Sequence, residues 1–191
     1  MAAELETLLF PTAADFDAWL AVHGATTPGL WLKMAKKGLV PPSINYPEAV
    51  DTALCHGWID GQSKRVDESH FIQRFTPRRK ASLWSKVNRV KVAVLIAGGK
   101  MRPAGQAEID RAKAAGRWDA AYDPPSTSTI PDDLAAAFVR EPEALAFYQT
   151  LNATNRYAIL HRIQTAKKAE NRAARIEKFV AMLLAKEKIH L

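Results

Sequence analysis

Between Gly57 and Pro77 the chain carries two extended runs separated by a short polar turn, and this feature most narrows the folds open to it. The first run extends from Trp58 to about Val66, Asp67, Glu68 and Ser69 make the turn, and the second run covers Phe71 to Thr76. Strands joined by so few residues pair antiparallel, because a parallel return needs a crossover of roughly a dozen residues or more. In the second run Phe71, Gln73 and Phe75 share one face and Ile72, Arg74 and Thr76 the other, so one partly polar face is expected. Leu30, Leu32 and Met34 alternate with Trp31 and Lys33, which predicts an earlier strand, the first of the sheet.

Helical spacing surrounds this sheet. Phe16, Trp19 and Leu20 mark a helix over Thr12 to His23, ended by Gly24. Lys36, Lys37 and Gly38 predict a turn, and Pro41-Pro42 exclude a regular element there. Ala49, Val50, Ala53 and Leu54 form an apolar stripe up to His56, with Pro47 near the helix start and Gly57 at its stop. Ser82 is expected to cap a helix to Ala97 whose inward face is Leu83, Val87, Val90 and Val94. Another helix is expected over Ala104 to Ala115.

Past the proline- and serine-rich passage Asp123 to Thr129, only helical patterns follow: Asp132 to Val139, Pro142 to Leu151, Thr154 to about Lys167 and Asn171 to Leu184. The last buries Ile176, Phe179, Val180 and Leu183 and is expected to expose Arg172, Arg175 and Lys178. The fold class expected is α+β. A small mostly antiparallel sheet with packed helices over residues 1–125 precedes an all-helical region over 126–191.

Charge is distributed in blocks. Residues 1–56 carry 3 basic and 6 acidic side chains, 57–102 carry 11 and 3, 103–155 carry 4 and 8, and 156–191 carry 9 and 3. The two basic blocks hold the whole surplus behind the net charge of +7, which suits an anionic ligand, nucleic acid or a plain solvated face. The patch VAVLIA at 92–97 is far shorter than the roughly 20 residues a bilayer span needs. A lone Cys55 cannot form an internal disulfide, and a soluble protein of the cytoplasm is the expectation.

The chemistry-bearing side chains concentrate in CHGWIDGQSKRVDESHFIQRFTPRRKASLWSKVN at 55–88. On a regular strand Trp58, Asp60 and Lys64 share a face, Arg74 lies on the next strand, and Arg78, Arg79, Ser82, Trp84, Lys86 and Asn88 follow. Arginine forks and free N–H groups near Ser82 suit a phosphate, and Trp58 or Trp84 suits stacking on a base. The same groups are equally satisfied without a ligand if Asp60 pairs with Arg74 or Arg79 and the tryptophans fill the interior. A protein-binding surface is the third reading. No histidine or cysteine stands at zinc-like spacing beside His56 and Asp60, adjacent Cys55 and His56 do not make a dyad, and the common nucleotide and hydrolase motifs are missing, so neither a metal nor a cofactor is expected.

Four landmarks, YPEAVDTALCHGWIDGQSKRVD at 46–67, RFTPRRKASLWSKVNR at 74–89, GKMRPAGQAEIDRAKAAGRWDAAYDPP at 99–125 and NRYAILHRIQTAKKAENRAARIEKFVAMLLAKEKIH at 155–190, together resemble the bacterial YdeI/OmpD-associated (OmdA) family, also called the bacteriocin-protection family. That family commonly has phenylalanine where this chain has His56 and threonine where it has Glu170 or Asn171, so the resemblance assigns His56 no catalytic role. The resemblance implies a link to protection against bacteriocins or cationic antimicrobial peptides, and no reaction. The expected function is a non-enzymatic stress-protection or interaction protein. Nucleic-acid or nucleotide binding and an enzyme of a small anionic substrate stand as alternatives.

Overall fold

The computed structural model describes residues 4–36, 38 and 43–190; the turn expected at Lys37 and the Pro41-Pro42 pair lie outside them. The chain divides into two compact units, one of Met1–Trp84 with Asn88–Ala121 and the other of Ser85–Val87 with Tyr122–Leu191.

In the first unit the strands are β1 (Thr7–Leu8), β2 (Leu30–Ala35), β3 (Trp58–Arg65) and β4 (His70–Pro77), arranged β1-β2-β4-β3. β4 pairs antiparallel with β3, as the short turn requires, and also with β2, while β1 pairs parallel with β2. The strand at Leu30 is therefore not the first; a two-residue partner precedes it, too short to show an alternation. The register places Leu30 opposite Phe75, Leu32 opposite Gln73 and Met34 opposite Phe71. Leu30, Leu32, Met34 and Phe75 are all fully buried, so this face of the sheet is its core face.

Two helices pack with that face. α1 (Ala13–His23) starts at Thr12, whose hydroxyl accepts from Asp15 N while the Asp15 carboxylate accepts from Thr12 N. α2 (Tyr46–Cys55) has the same reciprocal arrangement between Asn45 and Glu48. Phe16 of α1 meets Phe75 edge-on, with ring centroids 5.8 Å apart, and joins Leu20, Ala49, Ala53 and Leu54 in one apolar cluster. Gly57 stops α2 with φ +74°, and a Cβ there would meet Ala104 O at 2.9 Å, so both backbone conformation and space demand glycine.

α3 (Lys86–Ala97) corrects two expectations. It begins four residues after Ser82, which instead closes a turn: Ser82 N donates to Arg79 O and Arg79 N to Ser82 Oγ, at 2.9 Å each. Its buried residues are Val92 and Leu95, whereas Val90 and Val94 are 66% and 67% exposed. Periodicity offers both stripes, and the one chosen lets Lys91 reach Asp51 and Arg89 donate to Trp118 O. α4 (Pro103–Ala114) then brings Gly105 against the end of α2, where any Cβ would lie 2.2 Å from Cys55 O.

The second unit is helical: α5 (Asp132–Arg140), α6 (Pro142–Thr150), α7 (Ala153–Gln164) and α8 (Ala169–Leu184). Leu134, Ala144, Ile159, Ile163 and Leu183 are its most deeply buried side chains. Arg172, expected on the exposed side of α8, is half-buried and bonds both the Asp133 carboxylate and Ile163 O. An N-terminal mixed sheet with packed helices followed by an all-helical stretch is the fold.

Candidate functional site

The residues singled out in the sequence go to different places. Trp58 is 1% exposed, donates Nε1–H to Gly24 O (3.1 Å) and meets Trp19 edge-on. Trp84 is also buried, with the Arg78 guanidinium 3.6 Å from its ring centre; Arg78, 5% exposed, donates to Leu83 O. Asp60 pairs with neither Arg74 nor Arg79, contrary to expectation, but accepts from the Tyr46 hydroxyl at 2.7 Å. Arg79 is exposed, and Ser82 is spent in its turn rather than at a helix start, so the free N–H groups expected there do not lie at Ser82. Lys86 belongs to the second unit, paired with Asp123 at 2.6 Å, and Asn88 is half-buried.

The shared face of Trp58, Asp60 and Lys64 is also corrected. Asp60 stands opposite Phe75 and Ser63 opposite Gln73, so β3 spends one residue more than β4 between those pairs. This bulge reverses the alternation. Trp58 and Asp60 stay with the core face, whereas Lys64 emerges with Arg74 on the opposite one, its Nζ 4.5 Å from the Trp31 ring centre.

A cleft of about 520 Å³ lies elsewhere in the first unit, and none of those ten residues lines it. Glu48, Asp51, Thr52 and Cys55 supply one wall, four positions of α2 whose spacing puts them on a single helix face. Ala13, Ala14 and Asp17 of α1 oppose them, and Leu95, Gly99, Lys100 and Arg102, from the end of α3 and the start of α4, complete the rim.

Asp17 is the electrostatic centre of this cleft. Its Oδ2 accepts from Arg102 Nη2 at 2.6 Å and its Oδ1 from His56 Nε2 at 2.8 Å. Partial burial pushes the Asp17 carboxyl pKa up, but the hydrogen bonds and charges of Arg102 and His56 outweigh it and hold the group below the ordinary carboxylate range. On the opposing α2 wall Asp51 accepts from Lys91 Nζ at 2.5 Å, and Glu48 is turned back to its helix cap. Burial pushes the Cys55 thiol up, with the Asp17 charge adding to it, so the sulfur stays protonated and a poor nucleophile at neutral pH.

Cation and carboxylate thus alternate around an open space, an arrangement suited to holding a small molecule with both charges. Sequence reading missed Asp17, Asp51, Lys100 and Arg102, which come from α1, α2 and the connection between α3 and α4, up to 85 positions apart. The one available signal was Glu48, Asp51, Thr52 and Cys55 on one face of an otherwise apolar helix. Among the described residues no group of histidine, cysteine and carboxylate is placed to hold a metal ion, and no helix is long and apolar enough to cross a membrane.

Two family models match the chain. Residues 8–108 match the one described as a domain of unknown function (DUF8412), and residues 127–186 match the one described as Bacteriocin-protection, YdeI or OmpD-Associated (OmdA). The first contains strands β2 to β4, the cleft and every residue of the Asp17 cluster; the second covers α5 to α8 but not the ends of the helical unit. No curated protein and no solved structure matches the chain.

Proposed function

We propose, taking as premise that the chain belongs to the DUF8412 family, that it is a non-enzymatic stress-protection protein of the cytoplasm that works by holding a small charged ligand in the Asp17 cleft. The observation that carries the binding reading is the geometry of the cleft, an open space of about 520 Å³ rimmed by Lys100 and by Asp17 and Asp51 with their cations. Asp17 is held as the anion and Cys55 as the neutral thiol, whereas a proton shuttle or nucleophile needs a pKa near the working pH. The ligand the walls suit carries an ammonium for the Glu48 and Asp51 side and a carboxylate or phosphate for Lys100 and Arg102.

The protective role rests on the OmdA match over residues 127–186. Direct capture of a cationic peptide is opposed by the net charge of +7, so protection through an internal ligand is the better physical fit. A strain lacking the gene is expected to be inhibited by lower concentrations of cationic antimicrobial peptide, with the intact gene restoring resistance and Arg102→Ala restoring little. Unchanged sensitivity of the deletion strain, or full rescue by a variant in which Lys100 and Arg102 are both alanine, removes the proposal.

A further inference from the structure

The sheet has a second face that the Asp17 cleft does not use. Its register carries Trp31 and Lys33 of β2, Ile72 and Arg74 of β4, and Ile59 of β3 to the side opposite the buried Leu30, Leu32, Met34 and Phe75. The bulge in β3 adds Lys64, which emerges over Trp31. Trp31, Lys33, Ile59, Ile72 and Arg74 are only partly buried and Lys64 is exposed, so the face is open to solvent.

Three cations on one small face have no carboxylate within ion-pair distance among the described residues. Arg74 is the most telling. Its Nε is sealed from solvent and no described group accepts its hydrogen, although a buried guanidinium nitrogen ordinarily finds a partner. The contrast with the cleft is direct, for there every aspartate is matched by a cation. An uncompensated positive field around a flat aromatic ring is complementary to a ligand that presents negative charge and a π-face together.

From this geometry we infer that the open face of the sheet, centred on Trp31 with Lys33, Lys64 and Arg74, is a binding platform for single-stranded nucleic acid. Bases stack on the indole and on the flanking apolar surface of Ile59 and Ile72, while the three cations meet the backbone phosphates. Three strands about 4.8 Å apart make a platform about 10 Å across, enough for two or three nucleotides. A duplex is excluded because its bases already stack on one another and offer no free face to Trp31. An acidic peptide matches the charge but supplies no flat π-surface. Lys64 covers the ring in the free protein through a cation–π contact that is weak at an exposed site, so an incoming base displaces it and leaves its ammonium free to meet a phosphate.

The test is fluorescence anisotropy of the full chain with a labelled single-stranded oligothymidylate of about twelve nucleotides, across a salt series. Binding at low salt is expected, with log affinity falling against log salt at a slope of about −2, the value for three phosphate contacts on a single strand. Trp31→Ala is expected to weaken binding roughly tenfold or more, and Trp31→Phe much less. The variant with Lys33, Lys64 and Arg74 all changed to Gln is expected to flatten the slope. If Arg74→Gln disturbs the fold by circular dichroism, Lys33→Gln with Lys64→Gln serves instead and is expected to remove about two-thirds of the slope. A Lys167→Gln, Lys178→Gln variant on the second unit is expected to bind as the parent does. The inference is overturned by no binding at low salt, by unchanged binding in the neutralised variants, by loss of binding in the second-unit variant, or by displacement with oligoglutamate as readily as with unlabelled oligonucleotide.

Discussion

The two faces of the sheet differ in how their tryptophans and charges are used. On the core side Trp58 is closed in by Trp19 and its indole N–H is satisfied by Gly24 O, while both aspartates of the nearby cleft are matched by cations. On the open side Trp31 lies under a lysine with further unmatched cations around it. Tryptophan therefore stabilises the fold on one face and stands available to a ligand on the other. Tryptophan and arginine in a sequence do not announce which of these they will do; accessibility and pairing decide it.

Substitutions that exchange the two roles separate them most sharply. Trp58→Ala is expected to cost about 3–5 kcal/mol in urea denaturation, because it empties a fully buried volume and strands the Gly24 carbonyl, whereas Trp31→Ala should cost roughly 1 kcal/mol or less. Comparable losses from both would erase the distinction between the faces. Gly105→Ala is next, at about 1–3 kcal/mol, since its Cβ would lie 2.2 Å from the Cys55 carbonyl oxygen, a backbone atom that cannot swing aside. Gly61→Ala, on the bulged strand where the nearest atoms of Arg74 stand 3.7 Å away, should leave the unfolding midpoint almost unchanged.

The pairing on the cleft side has a pH signature. The folded Asp17 pKa lies below its ordinary value, so its pairing with Arg102 and His56 stabilises the protein fully above about pH 4, the unfolded carboxyl value. That stability is lost as pH falls from there through the folded pKa. Thermal melts should show the parent ahead of Asp17→Asn near neutrality and the gap closing in acid; a gap independent of pH would mean that the carboxylate charge is not what holds the cluster. The smallest effect expected is on Cys55. Its buried, raised thiol should react with a disulfide reagent much more slowly than free cysteine at neutral pH and at the free-cysteine rate once urea unfolds the chain, and equal rates would show the cleft wall to be open.

Much of the architecture was legible because local signals agree with one another. The short polar turn after β3 forces an antiparallel return, Pro47 marks a helix start, and glycines mark helix stops. The α3 reading failed because two valine-containing stripes have equal helical spacing, and only contacts at Asp51 and Trp118 choose between them. Regular alternation puts Lys64 on the wrong face because a bulge adds one residue without changing the composition of the strand. Of the Asp17 cluster, only His56 stands within the chemistry-rich stretch of the sequence, while Asp17 and Arg102 carry no signal by themselves and gain meaning only from meeting each other.

The sequence by itself determined the order of elements, the antiparallel hairpin, the all-helical second part and the concentration of positive charge between residues 57 and 102. These are properties of neighbours along the chain, set by side-chain period, backbone conformational preference and simple counts of charge. Only the tertiary structure decided which tryptophan is buried, which cations are paired and where the cleft opens. Each of those depends on side chains distant in sequence arriving at one place, where a single matching partner turns a free charge into a structural one.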